Sequence, residues 1–289
     1  MQRRKLSAAR FGQSRKENMV EGKYFVIDAH CHIYPDKIAQ KAEHATELFY
    51  HYNGFGDGTV GMLLREGQKS GIDRFIVQSV ATSPHQVSSI NRFIAETVKN
   101  GNGVFTGLGT LHPGSEDLKR DVDEIISLGL HGVKLHPDIQ NFKIDDYRCL
   151  KIYELCEQAG LPILMHTGDS RYDNSNPNRL LPVLEIYTDL VVVGAHLGGW
   201  SIWEEASQKL CHVPNLFVDC SSSFAWLRNE EVERIIRRYG TDRVLFGTDY
   251  PLGSPAEEMK RFLALGFSDA ERRQMLSENA IKVFHMDRI

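Results

Sequence analysis

From Tyr24 onward the chain alternates short apolar runs with longer segments of mixed character. The runs are YFVIDAH, RFIVQSV, VFTGLGTL, GVKLHP, PILMHTG, LVVVGAHLG, LFVDCSS and VLFGTDYP. Their density of Val, Ile, Leu and Phe fits strands covered on both faces, as parallel strands are. The segments between them read as amphipathic helices. SEDLKRDVDEIISLGL opens with Ser115 as the expected N-cap and acidic residues in its first turn. DDYRCLKIYELCEQAG places Tyr147, Leu150, Ile152, Tyr153 and Leu155 at near-helical spacing, with Gly160 as the expected stop. Strand then helix, repeated eight times over about 250 residues, predicts an α/β fold of the (β/α)8 TIM-barrel type. A doubly wound open sheet is the rival, but no GxGxxG turn follows the first run. After that run comes a long insertion, PDKIAQKAEHATELFYHYNGFGDGT, helical in its first half and glycine-rich at its end. Long loops at this face of a barrel often serve as lids.

Composition narrows the function classes. A chain of 289 residues with net charge −4 is long enough for one large barrel or two ordinary domains. Mild acidity argues against nucleic-acid binding, and no apolar run approaches the length of a membrane span. Five cysteines with no CxxC spacing suit reduced thiols of a cytoplasmic protein. Residues 1–18 are basic and nearly free of acid, the composition of a transit peptide. The reading taken is a plain extension before Met19, with 19–289 as a single domain that binds a small molecule.

The candidate chemistry begins in FVIDAHCHIYP. On a strand, His30 and His32 project to one side and Cys31 to the other, which starts a metal site or merely ends a strand in polar residues. Other ionisable groups also fall at the ends of apolar runs: Lys134 and His136, His166, His196 and Asp249. In this fold the active site is built at that face from several strand ends. His44, His51, His85, His131, His212 and His285 lie elsewhere and receive no role. In GVKLHP, alternation puts Lys134 and His136 on one face. In the loop GDSRYDNSNPNR, Arg171, Tyr172 and Arg179 are candidates for binding a substrate carboxylate, or else are solvated loop residues. The cluster GFGDG reads as a flexible turn rather than a phosphate cradle.

The motifs DAHCH, GVKLHP, LMHTG, GAHLGG and FGTDYP, in that order from Phe25 to about Pro251, resemble those of the amidohydrolase superfamily. The resemblance is to its amidohydrolase-2 branch of small hydrolases and carboxy-lyases. It implies that His30, His32, His166 and Asp249 hold a divalent metal ion, with Zn²⁺ expected and Mn²⁺ or another ion as alternatives. It makes His196, Asp249 and Lys134 the catalytic residues, with His196 as acid or base. Lys134 either faces the substrate as a cation beside one metal or, carbamylated, bridges two; the wording of GVKLHP and GTDYP favours one. The implied reaction is hydrolysis of a small anionic amide, ester or lactone by metal-activated water. The alternative is non-oxidative decarboxylation of a small carboxylic acid, and a non-catalytic metal-binding barrel stands third. A homodimer is also implied, as is common in this branch.

Overall fold

The computed structural model describes residues 23–287; the basic extension and the start of the domain at Met19 lie outside the described residues. Parallel strands alternate with helices as the pattern of runs predicts. They are β1 (Ile27–His32), β2 (Arg74–Gln78), β3 (Phe105–Gly107), β4 (Gly109–Thr110), β5 (Val133–Leu135), β6 (Ile163–Met165), β7 (Val192–Gly194), β8 (Leu216–Asp219) and β9 (Val244–Leu245). The run VFTGLGTL holds both β3 and β4. Leu108 interrupts it, so the first half pairs with β2 and the second with β5. Nine strands therefore make eight staves. The ring closes where Ala29 N–H donates to Phe246 O at 2.9 Å and Asp249 N–H donates to His30 O at 2.9 Å. The result is a TIM barrel.

The helices that matter below are α1 (Asp36–Tyr50), α2 (Val60–Lys69), α3 (Val87–Asn100), α4 (Leu118–Ser127) and α5 (Tyr147–Ala159). Helix α1 and the glycine-rich turn after it form the insertion after β1. That turn is packed: Gly58 takes φ +72° and lies so close to the Tyr34 ring that a side chain there would collide with it. Helix α4 starts later than expected. Its N-cap is Asp117, whose Oδ1 accepts from Arg120 N–H at 3.0 Å, while Ser115 sits in the preceding turn, its N–H donating to His112 O. A carboxylate serves the helix dipole better than a hydroxyl, and the turn through Pro113 and Gly114 delays the helical backbone. Helix α5 stops at Gly160 as expected, with φ +63°. Its buried face is Cys149, Ile152, Tyr153, Leu155 and Cys156, and Tyr147 is 80% exposed. The two cysteines complete the stripe that Tyr147 was expected to join.

Alternation sorts the strand residues into two cores. Val133, Leu135, Ile163, Met165, Val192, Leu216 and Val218 pack outward beneath the helices. Ile27, Ile76, Leu108, Leu164, Val193, Phe217 and Leu245 fill the barrel interior. Ala280, Val283, Phe284 and Met286 of the C-terminal segment belong to this interior core. They seal the end of the barrel opposite the site. Among the described residues no helix is long and apolar enough to cross a membrane.

Phe284 is completely buried in that seal. Phe284→Ala should cost about 3–5 kcal/mol, because the barrel floor cannot collapse into the space left. The measurement is a urea unfolding curve of the metal-free protein, and an unchanged midpoint would show that the plug is not integral to the barrel.

Candidate metal centre

The geometry of the centre starts with a defect in β1. Between Asp28 and Cys31 the register against β2 slips by one residue, a β-bulge. Ile27 and Ala29 face the interior core before the bulge; after it His30 and His32 do, while Cys31 joins the outer core. The bulge thus adds a polar tier at the rim without displacing the apolar layers below. Asp28 holds the kink in place, accepting from His30 N–H at 3.1 Å, Thr248 N–H at 2.9 Å and Thr248 Oγ1–H at 2.6 Å.

Three ligand atoms converge there. His30 Nε2 lies 3.2 Å from His32 Nε2, and Asp249 Oδ1 lies 3.3 Å and 3.7 Å from these nitrogens. His30 is oriented from behind: its Nδ1 is 2.9 Å from Asp219 Oδ2 and 3.1 Å from Ser221 Oγ. With Nδ1 donating to the carboxylate, Nε2 presents a lone pair, the tautomer a metal ligand needs. Asp249 is fixed by Ser222 Oγ–H, which donates to Oδ2 at 2.6 Å. Both Asp249 and His196 adopt φ +59°, a conformation that costs a non-glycine residue about 1–3 kcal/mol and is concentrated at functional sites.

His166 and His196 stand beside this trio. His196 Nδ1 is 3.0 Å from Ser221 O, so it carries the proton and donates; Nε2 then accepts from His166 Nδ1 at 3.1 Å. That chain leaves His166 Nε2 buried with a free lone pair and no partner. Its nearest carboxylate atom is Asp138 Oδ2 at 3.6 Å. Among the described residues three groups of ligand atoms therefore lie side by side: His30, His32 and Asp249; His30, His196 and Asp219; and His136, Asp138 and His166. Of the four expected ligands, three meet at one point and His166 falls in a neighbouring group.

Lys134 is almost completely buried, with Nζ 3.1 Å from His30 Nε2. Burial lowers its pKa to about 8 against the pull of Asp249 and Asp219. Burial holds His30, His32 and His166 well below the usual histidine range and His196 at about 4. Burial also lifts Asp249 to about 7. The imidazoles are thus neutral and ready to coordinate, and a carboxylate kept from ionising only by desolvation is one that a bound cation would ionise. Neutral imidazole nitrogens, an orphaned lone pair and a carboxylate suit a divalent ion.

Three residues absent from the sequence-derived set belong to the site. Asp219 sits at the inward end of β8, the same position in its strand that singled out the histidines. Asp138 follows His136 by two residues and accepts from Ser175 Oγ–H. Tyr50, from the insertion, reaches His136, with its hydroxyl 2.6 Å from Nε2. The loop arginines do not face substrate space. Arg179 is held by Asp145 at 2.8 Å and by Asp173, and Arg171 by Asp169 at 2.8 Å. Carboxylates within their own surroundings neutralise both.

The family model described as amidohydrolase matches residues 27–286, and the chain belongs to that family. No curated protein matches it. Among solved structures, an uncharacterised TIM-barrel protein of Bordetella bronchiseptica superposes with TM-score 0.75 at 21% identity, covering 90% of this chain and 98% of that one. The 5-carboxyvanillate decarboxylase of Sphingomonas paucimobilis gives TM-score 0.70 at 14% identity, over 91% of this chain and 99% of its own. A dihydroxybenzoic acid decarboxylase of a Polaromonas species, with bound manganese and 2-nitroresorcinol, gives 0.71 at 16% identity, over 92% and 98%. At these identities the likeness is one of fold.

Two tests address the centre. Asp219→Asn keeps the shape but weakens the acceptor behind His30, and should lower metal affinity about 10–100-fold; the His30→Ala, His32→Ala pair should abolish binding. Full metal content in the double variant, read by atomic emission, would remove the assignment. Metal affinity should also depend on pH with a definite sign. Below about 7 the proton on Asp249 competes with the ion. Affinity should therefore fall about tenfold per pH unit on the acid side and level off above it. A flat titration from pH 5 to 8 would exclude Asp249 as a ligand.

Proposed function

We propose that the protein is a metal-dependent, non-oxidative decarboxylase of a small aromatic carboxylic acid. The observation that carries this is the cavity over the centre, 740 Å³ in volume. Its walls are largely apolar, from Ile38, Ala42 and Phe49 of α1 and Ile90 and Phe93 of α3, with Lys37 and Lys41 of α1 also lining it. Its floor is His32, Lys134, His136, His166 and Asp249. A flat ring fits the walls, and its carboxylate finds an ammonium at the floor. That floor is where His30, His32, His166 and Asp249 would hold the ion. The manganese-bound and aromatic-acid decarboxylases that share the fold support the same reading.

When bound, a divalent ion supplies charge neutralisation for the carboxylate and for an adjacent ring hydroxyl. The residues of the chain supply the rest. Lys134 binds and orients the acid. The C–C bond to the carboxylate breaks, carbon dioxide leaves, and the electron pair remaining on the ring carbon takes a proton. That proton comes from water; Asp249, its Oδ2 fixed by Ser222, would be ionised by the cation and hold it through Oδ1. His196 has both nitrogens engaged and acts by holding His166. Hydrolysis of an amide, ester or lactone, favoured by motif resemblance alone, needs the same ligands but has no comparable claim on the apolar walls.

The deciding experiment supplies manganese- or zinc-loaded protein with hydroxybenzoates and with neutral lactones, esters and amides. Carbon dioxide is followed by a coupled assay and ester or amide cleavage by pH-stat. Carbon dioxide release from an aromatic acid supports the proposal, and cleavage of a neutral substrate without it overturns it. Lys134→Ala should raise KM about 10–100-fold, the value of a hydrogen bond to a charged group, and leave one metal per chain. Two metals in the wild type, falling to one in the variant, would instead make Lys134 a metal bridge.

A further inference from the structure

The insertion after β1 ends in an arrangement that the reaction itself does not require. Helix α1 has no basic residue in its last turn. Arg171, from the loop after β6, takes that place. Its Nη1 donates to Phe49 O at 2.8 Å, one of the terminal carbonyls a helix leaves without an internal partner. Its other edge grips the buried Asp169, Nε to Oδ1 at 3.0 Å and Nη2 to Oδ2 at 2.8 Å. The guanidinium carbon lies 5.2 Å from the Phe49 ring, 5.5 Å from Tyr50, 5.2 Å from Tyr172 and 5.6 Å from Trp200. A planar cation flanked by four rings and anchored by a carboxylate is held in one orientation although its side chain is 31% exposed.

What it holds in place is Tyr50. The Tyr50 hydroxyl is 2.6 Å from His136 Nε2 and its ring 6.1 Å from that of His166. Tyr50 lines two cavities at once. One is the 740 Å³ space with the polar floor. The other, 340 Å³, is walled by Trp200, Phe224 and Trp226. Asp249 and Leu252 also line both. We propose that Arg171 is a positioning residue that seats Tyr50 as the partition between these cavities, so that Tyr50 bounds how far an acid seated over the polar floor can extend. The size limit rests on the aromatic-acid reading above; the seating of Tyr50 by Arg171 stands on the contacts alone.

The test uses the full-length, manganese-loaded chain. Amide hydrogen exchange over residues 36–58 should be about tenfold or more faster in Arg171→Gln, with strand peptides and metal content unchanged. Arg171→Lys keeps the charge but loses the fork and the flat stacking face, and should behave like the Gln variant rather than the wild type. Binding is followed by tryptophan fluorescence with 2,6-dihydroxybenzoate and with 3-hydroxy-2-naphthoate. The wild type should bind the naphthoate more weakly than the single-ring acid. Tyr50→Ala should bind the naphthoate, and Arg171→Gln should bind the single-ring acid about tenfold more weakly, through loss of a charge-assisted anchor. Wild-type exchange rates in Arg171→Gln overturn the seating role. Naphthoate binding as tight in wild type as in Tyr50→Ala overturns the partition. If no variant binds either acid, the size limit falls with the aromatic-acid reading, and hydrogen exchange alone still decides the role of Arg171.

Discussion

The Asp219 carboxylate is the point from which the centre is built. A buried anion in a barrel is tolerated only when donors surround it. Here Oδ2 takes the His30 ring, while Oδ1 accepts from the backbone N–H groups of His196 at 3.2 Å and Ser221 at 3.0 Å, and from the Ser221 hydroxyl. One side chain on β8 therefore sets the tautomer of a ligand on β1, the backbone turn that aims His196 from β7, and the serine lying between them. Through His196 it also determines which nitrogen of His166 is left free. Remove the anion and each of these choices becomes open.

The second constraint is dielectric. The rim of the barrel gathers five histidines, a lysine and several aspartates, and burial, with the Lys134 charge adding to it, drives the imidazoles there to neutrality. Lys134 and Asp249 have their pKa values moved towards each other, to about 8 and about 7, because burial penalises both charged forms by more than their mutual attraction restores. Such a pair exchanges protons at little cost near neutral pH. The same desolvation that makes the metal-free cluster unfavourable is what makes it a receptive site for a cation. Stability and function therefore oppose each other at this face, and the apolar layers with the C-terminal plug below supply the offset.

The barrel was legible because its determinants are local. Eight apolar runs announce eight staves, and the ionisable groups that close several of them mark the face on which they act. The split of one stave at Leu108 left no trace, since Gly107 and Gly109 flanking it read equally well as one strand. The site was legible wherever a histidine or aspartate closed a run. Asp219 obeyed the same rule, but its run, LFVDCSS, is not among the motifs that carry the family resemblance, whereas FGTDYP, which holds Asp249, is. The cap of α4 was misplaced for a simpler reason: Ser115 and Asp117 both qualify by type, and only the turn before them decides.

Tyr50 and Arg171 show where reading a sequence by period and motif ends. Nothing in ELFYHYN sets Tyr50 apart from Tyr52, and GDSRYDN offers Arg171 as a candidate for substrate without showing that it binds a helix-end carbonyl 122 positions away. The strand ends carry the chemistry in a pattern that repeats stave by stave, so they can be recognised singly. The walls that choose a substrate are assembled from the insertion and from loops after other strands, by contacts that no local spacing encodes. Chains sharing this barrel at 14–21% identity can therefore differ in what reaches the strand ends. Substrate choice in this protein is a property of how α1 docks, and docking is decided by a guanidinium finding a helix end.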